Sequence, residues 1–384
     1  MGIQESITKR SYAKVFDSFT YTPITIERTA EYRHHHGDTV VSAPLLKTAY
    51  HGVWSMFFTK GLGPISRLRH CWVYNYENDE LVIAYGTDAN NMALNDAWAL
   101  SFKTNTWRCI NQALKGPRHS ASSVLLGEKM FIFGGYNDHS YFADLHYINI
   151  FTGVVFDVMS YGVTPSPRIT PVMHKVNDMQ MVLWGGYCNN VVDDSLYVYN
   201  IRDDKWNETP NFQTNRPFPS YCTYSDNLYV FGSTKGHALI KFSNKFFEFE
   251  SIDCTGVEPP RDLTLSSLIG ADEFIFLIGG ESTSQFMHIY AYDVKKRWWF
   301  AFHVRPDSQT LSLMDGYVNE IGLFMLPREF SSSLVYREQT RELVSVMGSR
   351  IMSPQPIFKI EIGTALGVLH LRNDMFECFH NTYK

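Results

Sequence analysis

The residues most able to do chemistry in this chain are histidines and cysteines, and their spacing limits what they can do. His34, His35 and His36 are adjacent. Adjacent side chains point in different directions, so the three cannot share one metal ion as histidines four apart on a helix can. The run therefore predicts a solvated loop rather than a metal site.

Six cysteines are spread along the chain, and none forms a Cys-x-x-Cys pair. They are Cys71, Cys109, Cys188, Cys222, Cys254 and Cys378, and most of them lie inside or beside apolar runs. Such isolated cysteines are typical of free thiols in a reducing compartment. No apolar run approaches the ~20 residues that span a bilayer, and the first residues lack an apolar signal core. We expect a soluble, cytoplasmic protein.

Familiar catalytic motifs are missing from the sequence. It contains no Gly-rich phosphate loop, nucleophile elbow or His-Glu-x-x-His pattern. The net charge of −5 offers no general attraction for nucleic acid or anionic lipid. We therefore expect no cofactor, no nucleic-acid partner and no stable insertion into a membrane.

One motif for covalent modification stands at the N-terminus. Gly2 follows Met1, and Ser6 occupies the position that N-myristoylation requires. A single acyl chain binds membrane only marginally, so modification of Gly2 predicts weak, reversible anchoring. The alternative is that so short a motif has arisen by chance.

A sequence repeat positions most of the remaining residues. Apolar runs with strand character end in Gly86, Gly134, Gly185, Gly232 and Gly279, at steps of roughly 47 to 51 residues. Each run leads to a second run that carries aromatic residues, with turn residues between the two. A period of this length with several short strands per unit predicts a propeller or a solenoid.

The repeated unit resembles the kelch family, whose blades have a leading Pro-Arg pair, a strand ending in Gly-Gly, a strand bearing Tyr and a late Trp. The resemblance covers roughly residues 50–384, and the unit around Gly232 departs from it because Ser233 replaces the second glycine. It implies structural roles, between or within blades, for Arg118, Arg168, Arg261, Trp54, Trp107, Trp206 and Trp298.

The resemblance implies an all-β kelch β-propeller at residues 49–384, after an N-terminal extension at residues 1–48. Trp54 aligns with the last strand of a blade, and apolar runs at residues 357–379 offer further strands for that blade. We therefore expect the N- and C-terminal strands to share one blade and close the ring. Counting a degenerate unit at residues 320–347 gives seven four-stranded blades. The alternative is six blades, with additional strands at the point where the ring closes.

In a propeller, the loops that leave the Gly-Gly strands share one face with the loops that lead into each blade. Loops carry function because a rigid ring positions them, and aromatic and arginine side chains are the usual anchors of protein interfaces. The predicted binding face comprises Tyr136, His139, Tyr141, Phe142, Tyr187, Asn189, Asn190, Lys235, Glu281 and Arg328. For each of these residues a turn or packing role is the alternative.

Two functions from different classes follow. The first is a non-catalytic interaction module that presents its loops to a protein or peptide, as a substrate-recognition adaptor or as a subunit of a larger assembly. The second is a small-molecule or carbohydrate enzyme that uses the central channel, because galactose oxidase and some other enzymes share the fold. His, Tyr, Glu and Arg side chains that converge at one point would favour the enzyme. A wide and varied surface would favour the interaction module.

Overall fold

The computed structural model describes residues 31–33, 40–42, 51–209, 218–232, 238–256, 258–261, 263–281, 286–287, 289–306, 317–318, 324–329, 331–348 and 357–362. Within these ranges all regular structure is β-sheet. The first strands are β1 (Glu31–Arg33), β2 (Val40–Ser42) and β3 (His51–Phe57). Strands β1 and β2 pair with each other, and β3 joins the ring.

Blades 1 and 2 are four-stranded antiparallel sheets that follow each other along the chain. Blade 1 contains β4 (Cys71–Asn75), β5 (Glu80–Ala84), β6 (Ala97–Ser101) and β7 (Thr106–Asn111). Blade 2 contains β8 (Ser122–Leu126), β9 (Lys129–Phe133), β10 (Leu145–Asn149) and β11 (Val155–Asp157). The second strand of each blade is apolar on both faces because each sheet is covered by a neighbouring blade on either side.

Blades 3 and 4 repeat this arrangement. Around and within blade 3 lie β12 (Tyr161–Gly162), β13 (Val172–Asn177), β14 (Gln180–Trp184), β15 (Tyr187–Cys188), β16 (Val191–Val192), β17 (Leu196–Asn200) and β18 (Lys205–Thr209). Its four blade strands are β13, β14, β17 and β18. Blade 4 contains β19 (Ser220–Tyr224), β20 (Asn227–Phe231), β21 (Leu239–Ser243) and β22 (Glu248–Ser251).

Blade 5 is extended by extra strands at its outer edge. In chain order these elements are β23 (Thr255–Gly256), β24 (Ser266–Ala271), β25 (Phe274–Gly279), β26 (Phe286–Met287), β27 (Ile289–Asp293), β28 (Trp298–Pro306), β29 (Tyr317–Val318) and β30 (Phe324–Pro327). The blade itself consists of β24, β25, β27 and β28. Strand β30 pairs with β26, β28 and β29, so it decorates blade 5 instead of starting a new one.

Blade 6 closes the ring with strands from both ends of the described chain. It contains β31 (Ser333–Arg337), β32 (Glu342–Val346) and β33 (Ile357–Glu361), and β3 is its outer strand. The predicted sharing of one blade by N- and C-terminal strands is therefore confirmed. Strand β3 also runs parallel to the end of β28, so blades 5 and 6 form one continuous sheet.

The described residues thus form six blades, the lower of the two counts that the sequence left open. No seventh blade forms among the described residues, because the runs at 333–347 and 357–361, which the sequence analysis assigns to two units, belong to one sheet. The predicted strands at residues 366–379 lie outside the described residues. The boundary at residue 48 between extension and propeller stays a prediction.

The core lies between the blades. Trp206 of blade 3 packs against Tyr199 of its own sheet and Phe133 of blade 2, with ring centroids 4.8 and 6.1 Å apart. Trp54 stacks on Phe358 within blade 6. Trp54, Trp206 and Trp298 are buried as expected for structural residues, whereas Trp107 is only half-buried.

Candidate functional site

The direction of the strands decides which loops meet. The chain enters the first strand of each blade on the same face on which it leaves the second strand, and we call this the loop face. Isolated bridges join the two sets of loops, such as His119 to Tyr136 and Ile169 to Tyr187. The turns between first and second strands, and between third and fourth, lie on the opposite face, which we call the turn face.

A buried arginine supports the loop face in each of blades 1, 2 and 3. Its Nη1 donates to the carbonyl oxygen that ends the second strand, with Arg67 to Tyr85 at 3.0 Å, Arg118 to Gly134 at 3.1 Å and Arg168 to Gly185 at 2.8 Å. Each guanidinium also pairs at 2.7 Å with the aspartate that precedes the third strand, namely Asp96, Asp144 and Asp193. These blade arginines hold the loops in place.

The structure places the arginines that the sequence singled out in different surroundings, and it adds one that the sequence analysis did not name. Arg118 and Arg168 are buried, as expected. Arg67 was missed because the first unit lacks a proline beside its arginine. Arg261 does not fill the same position: its side chain is 46% exposed and lies 3.5 Å from Glu258. The signal that finds Arg67 is its position four residues before the first strand, shared with Arg118 and Arg168.

Beside one blade arginine lies a buried Tyr-His-Asp network. The Tyr85 hydroxyl is 2.8 Å from His146 Nε2, and His146 Nδ1 is 3.2 Å from Asp144. Burial would raise the pKa of Asp144, but the adjacent His146 ring and the Arg118 guanidinium hold that pKa well below its usual range. Burial lowers the pKa of His146. Tyr85 and His146 are fully buried, so the network braces blades 1 and 2 against each other and offers no reactive group to solvent.

The channel mouth on the loop face is a ring of residues with left-handed backbone, one from each blade. This mouth ring consists of Arg69, Ser120, Thr170, Phe218, Leu265 and Ser331, with φ between 48° and 58°. Backbone N–H groups of Ser120, Thr170 and Ser331 donate to the preceding blade's ring residue at 2.8 Å. Residue types alone do not predict this ring, since such a conformation is uncommon outside glycine. In blades 1 to 3 it lies two residues after the blade arginine.

The channel below this ring has a volume of about 1090 Å³ and is lined by the first strand of each blade. Hydroxyl groups join neighbouring blades along its wall: Ser220 Oγ lies 2.6 Å from Ser266 Oγ, and His70 Nε2 lies 2.6 Å from Ser333 Oγ. Burial, followed by the nearby Arg67 charge, lowers the pKa of His70 to about 3. Within the described ranges, no group of three His, Cys, Asp or Glu residues could hold a metal ion.

Part of the predicted binding face forms an aromatic cluster beside the mouth ring. The rings of Tyr136 and Tyr141 lie 4.7 Å apart, and the His119 imidazole meets Tyr136 edge-on at 5.7 Å. His139 is exposed at the tip of the same loop. His119 was not predicted, and burial followed by the Arg69 charge lowers its pKa. The cluster presents half-buried aromatic rings at one side of the channel.

A second pair of aromatic residues lies in blades 3 and 4. Tyr187 is 6.0 Å from Phe218 of the mouth ring, and its hydroxyl donates to Asn190 Oδ1 at 2.6 Å. Asn189 and Asn190 both have left-handed backbone, with φ of 49° and 64°. Both residues therefore form the turn between β15 and β16, and the Asn190 amide orients Tyr187.

The other predicted residues are dispersed. The Arg118 Cζ atom lies 4.1 Å from the centroid of the Phe142 ring, so this ring packs against the blade arginine. Arg328 donates to the Gly280 carbonyl oxygen at 2.8 Å. Glu281 is exposed. Lys235 and Gly2 lie outside the described residues.

The turn face carries exposed apolar side chains that the sequence reading did not single out. Tyr76 and Phe246 are 69% and 64% exposed, and Phe151 and Met179 are 43% and 46% exposed. They lie in the short turns between strands, where the sheet ends and no neighbouring blade covers them. The turn face is thus the natural comparison surface for any test of the loop face.

The described cysteines are free. Cys71, Cys222 and Cys254 are buried, and Cys109 and Cys188 are partly buried. Burial raises the pKa of the Cys71 thiol to about 12, which leaves it uncharged and unreactive. In the part of the chain that the structure describes, no helix is long and apolar enough to cross a membrane.

Comparison with known proteins decides the family. The model of the KLHDC2/KLHL20/DRC7 Kelch-repeats domain matches residues 34–233, just over half of the chain. The chain belongs to the kelch-repeat family. This confirms the resemblance drawn from the glycine runs and the late tryptophans.

Similar curated proteins share the repeats over part of their length. The Leucine-zipper-like transcriptional regulator 1 homolog of Drosophila melanogaster is 24% identical over 61% of this chain and 26% of its own length. Mouse Kelch domain-containing protein 1 is 29% identical over 38% of each. Human Kelch domain-containing protein 3 is 25% identical over 54% of this chain and 59% of its own length. The chain therefore matches less than two thirds of each relative.

Proposed function

We propose that this chain is a non-catalytic interaction module whose loop face binds a protein or peptide. Kelch propellers among its relatives suggest protein interaction as the general role. Binding by the loop face in particular is our inference. A chain that binds in this way is an adaptor that recruits a partner, or a subunit of a larger assembly. We place the protein in the cytoplasm because its described cysteines are free thiols.

The observation that carries this proposal is the aromatic cluster of Tyr136, Tyr141 and His119 beside the mouth ring. Tyrosine rings give a large contact area at little cost in conformational entropy, and their hydroxyls can still find polar partners. The blade arginine Arg118 fixes the loop beneath them. A rigid base under half-exposed aromatic rings is a suitable anchor for a partner.

The alternative, an enzyme acting in the channel, has less support from the geometry. Serine hydroxyls in the channel wall already bond across blades, such as Ser220 with Ser266 and Ser267 with Ser332. His70 and His174 in the wall are likewise engaged with Ser333 and with Thr223 and Asn244. Each of these groups is engaged in a bond that joins neighbouring blades.

The test compares the two faces by affinity capture from the native source followed by quantitative mass spectrometry. The loop-face variant is Tyr136→Ala with Tyr141→Ala. The matched turn-face variant is Tyr76→Ala with Phe246→Ala, two exposed aromatic residues on the opposite face. Both proteins are first checked for wild-type melting temperature, so that loss of a partner is not loss of fold.

We expect the loop-face variant to lose at least one partner, by tenfold or more in recovered amount, that the turn-face variant retains. Retention of every partner by the loop-face variant, or loss in the turn-face variant instead, contradicts the proposal. Purified partner and propeller then give a dissociation constant for each variant, which excludes indirect capture.

A further inference from the structure

Blade 6 differs from blades 1 to 3 at the position of the blade arginine. In those blades the arginine stands two residues before the member of the mouth ring. The mouth ring member of blade 6 is Ser331, and two residues before it stands Glu329. A carboxyl group therefore occupies the place where the other three blades have a buried guanidinium.

Glu329 is buried, and among the described residues no cationic side chain pairs with it. Glu329 is 3% exposed, and one of its carboxyl oxygens accepts a hydrogen bond from the Ser345 hydroxyl of β32. The other oxygen, Oε1, has no hydrogen-bond partner within the described part of the chain. The adjacent Arg328 points its guanidinium to the Gly280 carbonyl oxygen instead. Glu329 thus lacks the ion pair that each blade arginine has.

A small cavity adjoins this carboxyl group. Its volume is about 10 Å³, and apart from Glu329 and Ser345 its lining is entirely apolar, with no other charged or titratable group. A space of this size holds at most one water molecule. An ionised carboxylate here would be left with one hydroxyl and little else to replace its hydration shell, which is costly in an apolar interior.

The cavity lies at the seam where the ring closes. Ile278 on its wall belongs to blade 5, whereas Trp54 and Ile360 belong to the two outer strands of blade 6. At this seam the end of β28 runs parallel to β3, with Val304 beside Gly52. Glu329 itself accepts a backbone hydrogen bond from Gly280 of blade 5. Any change in its charge therefore acts on the contact between blades 5 and 6.

We propose that Glu329 makes this seam a pH-dependent latch: the neutral carboxyl group holds blades 5 and 6 together, and loss of its proton loosens them. Burial raises the pKa of Glu329 to about 8 from 4.5, although the Ser345 hydroxyl lowers it in part. Because the folded-state pKa lies above the unfolded one, this contribution to stability is full below pH 4.5. It is lost as the pH rises through about 8.

The test compares the wild-type protein with Glu329→Gln, which keeps the size and the hydrogen bond to Ser345 but cannot ionise. The matched control is Glu208→Gln, an exposed carboxylate on β18. Amide hydrogen exchange is measured from pH 5 to pH 9 and corrected for its intrinsic pH dependence. The readout is the protection of β3 and β33 at the seam, with β9 of blade 2 as an internal reference.

In the wild type and the Glu208→Gln control, we expect the opening equilibrium of β3 and β33 to rise with pH, by up to about tenfold per unit between pH 4.5 and 8. In Glu329→Gln the opening equilibrium of β3 and β33 should not change with pH. The opening equilibrium of β9 should be independent of pH in all three proteins. Parallel profiles for wild type and Glu329→Gln overturn the proposal. So does a rise that is equal at β3, β33 and β9, because the latch is specific to the seam.

A second variant covers the case in which Glu329→Gln does not fold. Ser345→Ala removes the hydroxyl that lowers the pKa of Glu329, so its folded-state pKa rises further. The pH at which β3 and β33 lose protection should then move upward from the wild-type value. An unchanged or lower midpoint in Ser345→Ala contradicts the assignment to Glu329.

Discussion

Trp54 lies directly opposite Ile360 in blade 6, so two residues from opposite ends of the described chain are neighbours in one sheet. The same strand, β3, is flanked on its other side by β28 of blade 5. The ring is therefore closed twice, once within a blade and once between blades. Closure of this kind removes exposed strand edges, which are otherwise sites of aggregation.

Removal of β33 should open the ring. A chain that ends at residue 356 leaves β3 and β32 without the strand that pairs with both. We expect it to aggregate or to elute as oligomers in size-exclusion chromatography. A chain that ends at residue 362 keeps β33 and serves as the control. Equal monomer yield from the two truncations would show that β33 is not needed for closure.

The late tryptophan of blade 3 should be a major source of stability. Trp206 is 1% exposed, and Trp206→Ala should cost about 3–5 kcal/mol of unfolding free energy through the cavity it leaves. Glu208→Ala, two residues along the same strand but exposed, should change it by no more than about 0.5 kcal/mol. Denaturant unfolding measures both, and equal effects would mean that Trp206 is not the buried residue of β18.

The arginines of the Pro-Arg pairs should differ in importance. Arg168→Met removes the buried guanidinium from the Gly185 carbonyl oxygen and from the Asp193 carboxylate, and should destabilise the protein by about 3 kcal/mol. Arg261→Met, at an exposed side chain, should cost less than about 1 kcal/mol. Thermal unfolding of the two variants decides this, and a larger loss for Arg261→Met would restore the role that the sequence pattern first gave it.

Acid should destabilise the ring through its buried histidines. Burial lowers the pKa of His174 from 6.5 to about 4, while Asn244 and Thr223 bond its two ring nitrogens. The unfolded chain binds this proton first, so stability is full above pH 6.5 and falls by about 3 kcal/mol as the pH drops through 4. His174→Gln should unfold at lower pH than the wild type, with exposed His139→Gln as control. Identical acid midpoints for all three proteins would contradict this.

The strands of the repeated unit could be predicted from local sequence features. Apolar runs that end at Gly134, Gly185 or Gly279 predict strands that are buried on both faces, and the structure has β9, β14 and β25 there. The glycines have left-handed backbone, with φ of 73°, 69° and 79°, which other residues adopt at a cost. The fold class could be predicted because each blade repeats the same local signals.

The site was less accessible to prediction. Tyr136 and Tyr141 were found because aromatic residues in loops stand out, but Phe142, chosen on the same grounds, packs under Arg118. Arg67 lacked the neighbouring proline, and Arg261 had it without being buried. A side chain's exposure depends on which neighbours the fold brings to it, and residue type alone does not contain that information.

The sequence by itself determined that the chain repeats an all-β kelch unit, because strand length, glycine ends and aromatic positions are local properties. It also determined that strands near both ends must pair, since Trp54 had no blade of its own. Only the tertiary structure decided that the described residues form six blades, since that number depends on whether residues 333–346 and 357–361 share a sheet. It alone placed Glu329 where other blades carry arginine, because that equivalence is one of position around the ring and depends on contacts between residues far apart in the chain.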